Sequence, residues 1–344
     1  MEKAQITAVK KLLKRPQKIA ITTHRNPDGD AYGSSLALYW YLKKLGHNVS
    51  VISPNDSPEF LKWLPGVESI IIFEEDKEKA KKVLSDSKIV FALDYNALHR
   101  TGDMMGQFLE QQNFFFIMID HHQQPDGFAK YLFSDPAKAS TCELMYLFIE
   151  QLGDEDLIDK DIATCLYTGI VTDTGSFKFA ATDVETHQIT AALFKKGIDH
   201  TNIHHQLFDT NSYNRLQLLS TALHNLRWLP KYRVAYISLS QKELHKYHFQ
   251  KGDTEGFVNY GLSIDGVVFA AIFIEDQKQG IIKISFRSKG NFSVNEFARL
   301  HFNGGGHINA AGGRSEDTLI ETIQRFIKIL PEYQDKIDIA YETL

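Results

Sequence analysis

The first half of this 344-residue chain is predicted to be an α/β domain built on a doubly wound, mainly parallel sheet. A helical linker then leads to a smaller α/β domain. Three observations predict this. Between residues 18 and 135, short apolar runs alternate with helical patterns, as in βα units. Residues 139–225 read as almost pure helix. A second strand-rich region begins near Tyr232. The length also favours two domains, since single cores usually stop growing near ~250–300 residues. The expected division is 1–190, a linker at 191–215, and 216–344.

In chain order, the first-domain strands are expected at Lys18–Thr23, Asn48–Ser53, Ser69–Phe73, Lys88–Leu93, Asn113–Ile119 and Lys130–Ser134. They are apolar runs of strand length. Helices are expected at Ala31–Leu45 and Asp76–Leu84, where apolar residues recur at helical spacing. In the helical stretch Leu144, Leu147 and Phe148 share a face, as do Ala191, Ala192 and Phe194. Gly153 and Gly197 are placed to end helices. The second region offers strands at Arg233–Leu239, Val267–Ile274 and Ile281–Arg287. An amphipathic helix follows at Val294–His301, then a loop, Asn303-Gly304-Gly305-Gly306-His307, and a last helix from Thr318 to Ile329.

Composition narrows the function classes. Apolar content is 43% and charged content 24%, ordinary for a soluble globular protein. No run is long enough to span a bilayer, and Met-Glu-Lys-Ala-Gln lacks the apolar core of a secretory signal. Cys142 and Cys165 are the only cysteines, so no disulfide framework is implied; Cys142 lies in an apolar helical pattern and reads as core. A cytoplasmic location fits. The net charge is −5, whereas proteins gripping long nucleic acid are usually basic. The lysine clusters at Lys10-Lys11, Lys77 to Lys82 and Lys195-Lys196 sit beside acids on predicted helices and read as solvated faces. An anionic substrate would therefore be small and held locally.

The chemistry-bearing residues cluster at the ends of predicted strands. In open α/β sheets ligands bind outside the carboxyl ends of the strands. The first strand runs into His24, Asp28 and Asp30. The fourth runs into Asp94, the fifth into Asp120-His121-His122, and a helix-like stretch from Asp161 to Val171 runs into Asp173. Taken singly, Asp28 or Asp30 reads as a helix N-cap, Asp94 as a turn residue, Asp173 as a loop acid, and each histidine as an ordinary core or surface residue. Four such segments, three closing a strand, are hard to explain that way together. Histidines with carboxylates suit a first-row divalent ion such as Mn²⁺, and a closed zinc site would favour cysteines. Two ions would let this many acids gather. Pro27 and Gly29 are expected to keep the first segment in loop form, with Gly33-Ser34 near the helix start able to meet a phosphate.

The set His24-Arg-Asn-Pro-Asp28-Gly-Asp30-Ala-Tyr-Gly-Ser34, Asp94, Asp120-His121-His122 and Val171-Thr-Asp173-Thr-Gly-Ser176 resembles the four motifs of the DHH phosphoesterase superfamily. The resemblance implies two Mn²⁺ ions, one held by His24, Asp28 and Asp94, the other by Asp30, Asp94, His121 and Asp173, with Asp94 bridging. It implies that His122 faces the scissile phosphate. Asp120 would then accept from a histidine ring N–H and fix its tautomer. Hydrolysis would proceed by attack of hydroxide activated between the two ions.

Downstream, Arg287-Ser288 closes a strand, and Gly304-Gly305-Gly306-His307-Ile-Asn-Ala310-Ala311-Gly312-Gly313 follows. This segment resembles the DHHA1 domain. Glycine-rich turns admit phosphate close to backbone N–H groups, and arginine offers a planar fork. Arg287, Ser288, Gly305, Gly306 and His307 are thus expected to bind substrate, with Arg100 as a further phosphate contact. The second domain argues against the family's inorganic pyrophosphatases, and the length against RecJ-type exonucleases. The arrangement is most similar to the nanoRNase group, the NrnA-like oligoribonucleases and pAp phosphatases. That resemblance implies cleavage of P–O3′ bonds in very short RNA, giving 5′-mononucleotides, and in 3′-phosphoadenosine 5′-phosphate (pAp), giving AMP. No membrane or long duplex is expected as partner, and a homodimer is left open. The rival readings are a phosphodiesterase for linear or cyclic dinucleotides, a non-catalytic nucleotide sensor, and a protein whose metal is structural.

Overall fold

The computed structural model describes residues 2–344. They form two compact units, one ending at Thr210 and the other spanning Asn211–Leu344.

The first unit contains α1 (Lys3–Leu12), β1 (Lys18–Thr22), α2 (Gly29–Lys44), β2 (Asn48–Ser53), β3 (Ile71–Ile72), α3 (Lys77–Asp86), β4 (Ile89–Leu93), α4 (Asp103–Glu110), β5 (Phe116–Asp120), β6 (Tyr131–Ser134), α5 (Thr141–Gln151), α6 (Lys160–Asp173), α7 (Val184–Lys195) and α8 (His200–Phe208). Its six strands are all parallel, in the order β3-β2-β1-β4-β5-β6. Strand order reverses between β1 and β4, which opens a crevice at their carboxyl ends. Side chains alternate between two cores. Ile19, Ile21, Phe91 and Ile119 pack with α2, α5 and α6. Ala20, Val90, Ala92 and Met118 pack with α3 and α4 on the other face. Burial on both faces explains why these strands read as continuous apolar runs.

The second unit contains α9 (Tyr213–His224), β7 (Arg227–Leu229), β8 (Val234–Leu239), α10 (Gln241–Lys246), α11 (Phe257–Leu262), β9 (Phe269–Asp276), β10 (Ile281–Ser288), α12 (Val294–His301), β11 (Gly305–Gly306), β12 (Ala310–Ser315), α13 (Leu319–Ile329) and α14 (Gln334–Glu342). Its sheet, in the order β11-β12-β10-β9-β8-β7, is antiparallel except for the β8–β9 pair. Phe269 and Phe286 pack, mostly edge to face, against Phe297 and Phe326 from α12 and α13 on one face. Leu218, Leu244 and Phe257 cover the other.

The expected architecture holds: a parallel sheet wrapped on both faces, a helical stretch, and a smaller α/β unit. Gly153 and Gly197 follow α5 and α7 in left-handed conformation, as helix-ending glycines do. Three local expectations are corrected. First, α2 begins at Gly29 rather than Ala31, because the Asp28 side chain caps it by accepting from the Asp30 and Ala31 amides. Gly29 is therefore helical. Gly33-Ser34 lies buried in the second turn, where a Cβ on Gly33 would sit 2.5 Å from the Cys165 carbonyl oxygen. That glycine lets α2 pack closely on α6, so it does not face a phosphate. Second, the 303–307 loop contains edge strand β11. Third, α13 is followed by a further helix, α14. No helix among the described residues is long and apolar enough to cross a membrane.

Candidate metal centre

The four sequence motifs converge at the carboxyl edge of the first sheet. His24 follows β1. Its Nδ1 lies 2.9 Å from the carbonyl of Arg25, while Nε2 lies 3.3 Å from Asp94 Oδ2 and 3.8 Å from Asp28 Oδ1. His121 follows β5 in the same style. Its Nδ1 lies 3.1 Å from the Lys138 carbonyl, and Nε2 lies 3.1 Å from Asp173 Oδ2, 3.7 Å from Asp94 Oδ1 and 3.8 Å from Asp30 Oδ2. In both rings a backbone carbonyl accepts the Nδ1 proton. The neutral tautomer then turns a bare Nε2 toward the acids, which is the form a metal ligand needs.

The carboxylates are held as firmly. Asp30 lies in the first turn of α2 and is fully buried, with its oxygens accepting from the Thr141 amide (2.6 Å) and the Cys142 amide (2.8 Å) at the start of α5. Asp94 stands just past β4 at φ 62°, a left-handed conformation that aspartate tolerates better than most residues. Its Oδ1 accepts from the Thr141 hydroxyl at 3.0 Å. Asp173 is the last residue of α6. Within the first unit three groups of ligand atoms are mutually close, within 4.8 Å: His24, Asp28 and Asp94; Asp30, Asp94 and His121; and Asp94, Asp120 and His122, with Asp94 common to all three. Asp173 reaches the second set through His121 Nε2.

Electrostatics shows what this cluster would accept. Burial and the neighbouring charges of Asp94 and Asp173 push the Asp30 carboxyl well above its ordinary range. Burial raises Asp173 to about 6 even with His121 beside it. Burial opposes a charge on His24, but Asp28 and Asp94 outweigh it and lift the ring to about 10. The acids repel one another and draw protons onto the histidines. Divalent cations would discharge both stresses, so this donor set fits such ions.

Asp120 and His122 pair beside Asp94, whose Oδ1 lies 3.7 Å from His122 Nδ1. The Asp120 carboxylate accepts from the His122 amide at 3.1 Å and pairs with His122 Nδ1 at 2.7 Å. Nε2 thus lies on the side of the ring away from Asp120. Burial, then the Arg100 charge, hold the His122 ring well below its ordinary pKa. Arg100 lies in the short turn after Asp94 and acts electrostatically on both Asp120 and His122.

In the second unit, Arg287 pairs in register with Ala310, and His307 closes the β11–β12 hairpin through its amide to the Ala310 carbonyl, 2.7 Å. Both side chains are half-buried. The strands pack so closely that a Cβ on Gly304 would lie 2.0 Å from the Gly312 carbonyl oxygen. Two expectations change here. The Ser288 hydroxyl donates to the Phe292 carbonyl at 2.6 Å and accepts from Asn309 at 2.9 Å, so its side chain serves the hairpin. The Gly306 amide donates to Asn295 Oδ1 at 3.0 Å and is engaged within the unit. Gly305, the other residue of β11, lies beside Asn295 and Arg299.

Sequence reasoning missed Lys138 and Thr141, whose carbonyl, amide and hydroxyl hold His121, Asp30 and Asp94. The available signal was Ser140-x-x-Glu143, a helix-start pattern placed just after a predicted strand.

A buried histidine–aspartate cluster at the switch point of a parallel sheet fits a metal-dependent hydrolase. The comparisons agree. Residues 18–170 match the DHH family, N-terminal domain, and residues 231–335 match the DHHA1 domain. The chain is 35% identical over 297 residues to the bifunctional oligoribonuclease and PAP phosphatase NrnA of Thermus thermophilus, covering 86% of this chain and 83% of that one. A probable protein of the same name from Streptococcus mutans is 30% identical, over 90% of this chain and 94% of that one. The crystal structure of an exopolyphosphatase-related protein from Bacteroides fragilis superposes with a TM-score of 0.93 at 40% identity, covering 98% of each chain. The chain belongs to the DHH family of phosphoesterases, in the branch that carries a DHHA1 domain, and it is a hydrolase.

Proposed function

We propose that this chain hydrolyses P–O3′ bonds in very short RNA oligonucleotides and in pAp, using two manganese ions. The observation that carries the reading is the buried Asp94, shared by both ligand groups. The relatives' printed names supply the substrate class, and the acidic net charge suits small substrates held locally. The cytoplasmic location and the absence of a long-duplex partner belong to the same proposal.

His24, Asp28 and Asp94 would hold one ion, and Asp30, Asp94, His121 and Asp173 the other. Such a pair supplies a nucleophile at neutral pH and charge neutralisation at phosphorus. The chain's own residues do the rest. Asp120 holds the His122 ring through Nδ1, which turns Nε2 toward the phosphate; the neutral ring can accept a proton there, and only the doubly protonated ring donates to the developing negative charge. Arg100 adds positive charge on the same side. Arg287 and His307 bind a further phosphate or the far nucleotide end.

The test is a substrate panel of pAp, a linear dinucleotide and a cyclic dinucleotide, each with Mn²⁺, Mg²⁺ or chelator, with products identified. Mn²⁺-dependent release of AMP from pAp and of 5′-mononucleotides from the linear dinucleotide is expected. Turnover confined to the cyclic compound would replace this reading with the signalling phosphodiesterase. No hydrolysis under any condition would leave the nucleotide sensor.

A further inference from the structure

One short segment, Lys138–Glu143, touches a member of three of the four motifs. The Lys138 carbonyl accepts from His121 Nδ1 at 3.1 Å. The Thr141 and Cys142 amides donate to the two oxygens of Asp30. The Thr141 hydroxyl donates to Asp94 Oδ1 at 3.0 Å. Thr141 is fully buried, so this hydroxyl has no water to turn to.

The segment is itself fastened. Ser140 caps α5 by accepting from the Glu143 amide at 3.0 Å. The Glu143 carboxylate is buried and accepts from the Ala139 amide at 3.1 Å and the Thr186 hydroxyl at 3.2 Å. Lys138 lies 3.3 Å from Glu143 and also pairs with Glu185. The loop before α5 is therefore clamped from inside by an ion pair. Its polar backbone and the Thr141 hydroxyl are turned toward the ligands.

We infer that Thr141 is a positioning residue for the metal centre: its hydroxyl sets the orientation of the shared Asp94 while its amide sets Asp30. One residue thereby couples the two ligand groups. Its β-branch explains why threonine suits the place, since the methyl restricts χ1 and keeps the hydroxyl aimed at Asp94. A partner that fixes a liganding carboxylate is worth about 10–100-fold in metal affinity.

This rests on the proposed metal site, and the test separates the two. Thr141→Val keeps shape, helix position and amide, and removes only the donor. Thr141→Ser restores it. Mn²⁺ affinity and stoichiometry are measured by calorimetry on protein stripped of metal, with circular dichroism to verify the fold. Thr141→Val should bind Mn²⁺ about 10–100-fold more weakly than wild type. At saturating Mn²⁺ its kcat should fall while KM for a dinucleotide holds. Thr141→Ser should recover affinity to within about threefold, less than the lower bound for losing the partner. Should Thr141→Val not fold, Thr141→Ala removes the donor without adding volume, and the same loss is expected. Wild-type affinity in a folded donor-less variant would overturn the inference, as would a folded Thr141→Ser as weak as Thr141→Val. Failure of the wild type to bind Mn²⁺ would instead overturn the proposed function.

Discussion

The two units hold their candidate residues in different ways. In the first, His24, Asp30, Asp94, His121 and His122 are all buried, and each is fixed by another group of the chain. In the second, Arg287 on β10 and His307 in the β11–β12 edge hairpin are half-buried, and close strand approach dictates glycine at Gly304 and Gly306. Buried, oriented acids can place ions to a fraction of an ångström, which bond-breaking at phosphorus requires. Half-exposed donors such as Arg287 and His307 suit capture, where attraction matters more than exact placement. The proposal divides labour accordingly: chemistry in the first unit, grip in the second.

The largest expected effect attacks the first half of that division. Asp94→Ala should reduce kcat by more than about 10³-fold, beyond the loss of a single transition-state donor. The variant should keep its circular dichroism spectrum, because the surrounding cores do not depend on that side chain. Near-normal Mn²⁺-dependent turnover would break the comparison. Arg287→Ala should act on the other half. Loss of a charge-assisted hydrogen bond of about 1.5–3 kcal/mol should raise KM for dinucleotides roughly 10–100-fold with kcat little changed. An unchanged KM would remove the second unit from substrate capture.

A smaller effect follows from the charges. In the ion-free protein His24 titrates at about 10 and His121 well above its ordinary value, so both carry protons at pH 7. Liganding requires the neutral rings, so Mn²⁺ binding at pH 7 should release about one or two protons per chain. Calorimetry in buffers of different ionisation enthalpy measures this. As pH falls through about 6, Asp173 also takes up a proton and Mn²⁺ affinity should drop further. Binding without proton release would contradict the arrangement.

The smallest effect compares two glycines. A Cβ on Gly169 would lie 2.2 Å from Cys142 Sγ and 2.8 Å from Asp30 Oδ1, whereas the atoms nearest to one on Gly304 belong to strand β12. Each alanine should destabilise its unit by about 1–3 kcal/mol through overpacking. Only Gly169→Ala should also weaken Mn²⁺ binding, because it displaces Asp30.

The parts of the molecule legible in sequence share a physical cause. Strands buried on both faces read as apolar runs, and an acid closing such a run stands out against it, as with Asp94 and Asp120. The start of α2 was misplaced because Asp28 both caps a helix and faces the ligands, and Pro27 and Gly29 read as loop. Strands β11 and β12 were missed because glycine and alanine carry little strand signal, while backbone packing makes the pairing. Thr141 was invisible because its role lies in contacts with Asp30 and Asp94, 111 and 47 residues away. Ser288 shows the converse: Asn309 in the hairpin and Phe292 before α12 engage its hydroxyl, contacts that the sequence does not display.

The central claim is that one buried aspartate serves two metal ions. The direct measurement is metal content with low-temperature electron paramagnetic resonance on Mn²⁺-loaded wild type and Asp94→Asn. Two ions per wild-type chain with a spin-coupled signal are expected, and loss of that coupling in the variant. A single ion per wild-type chain, or an unchanged coupled pair in Asp94→Asn, would contradict that claim.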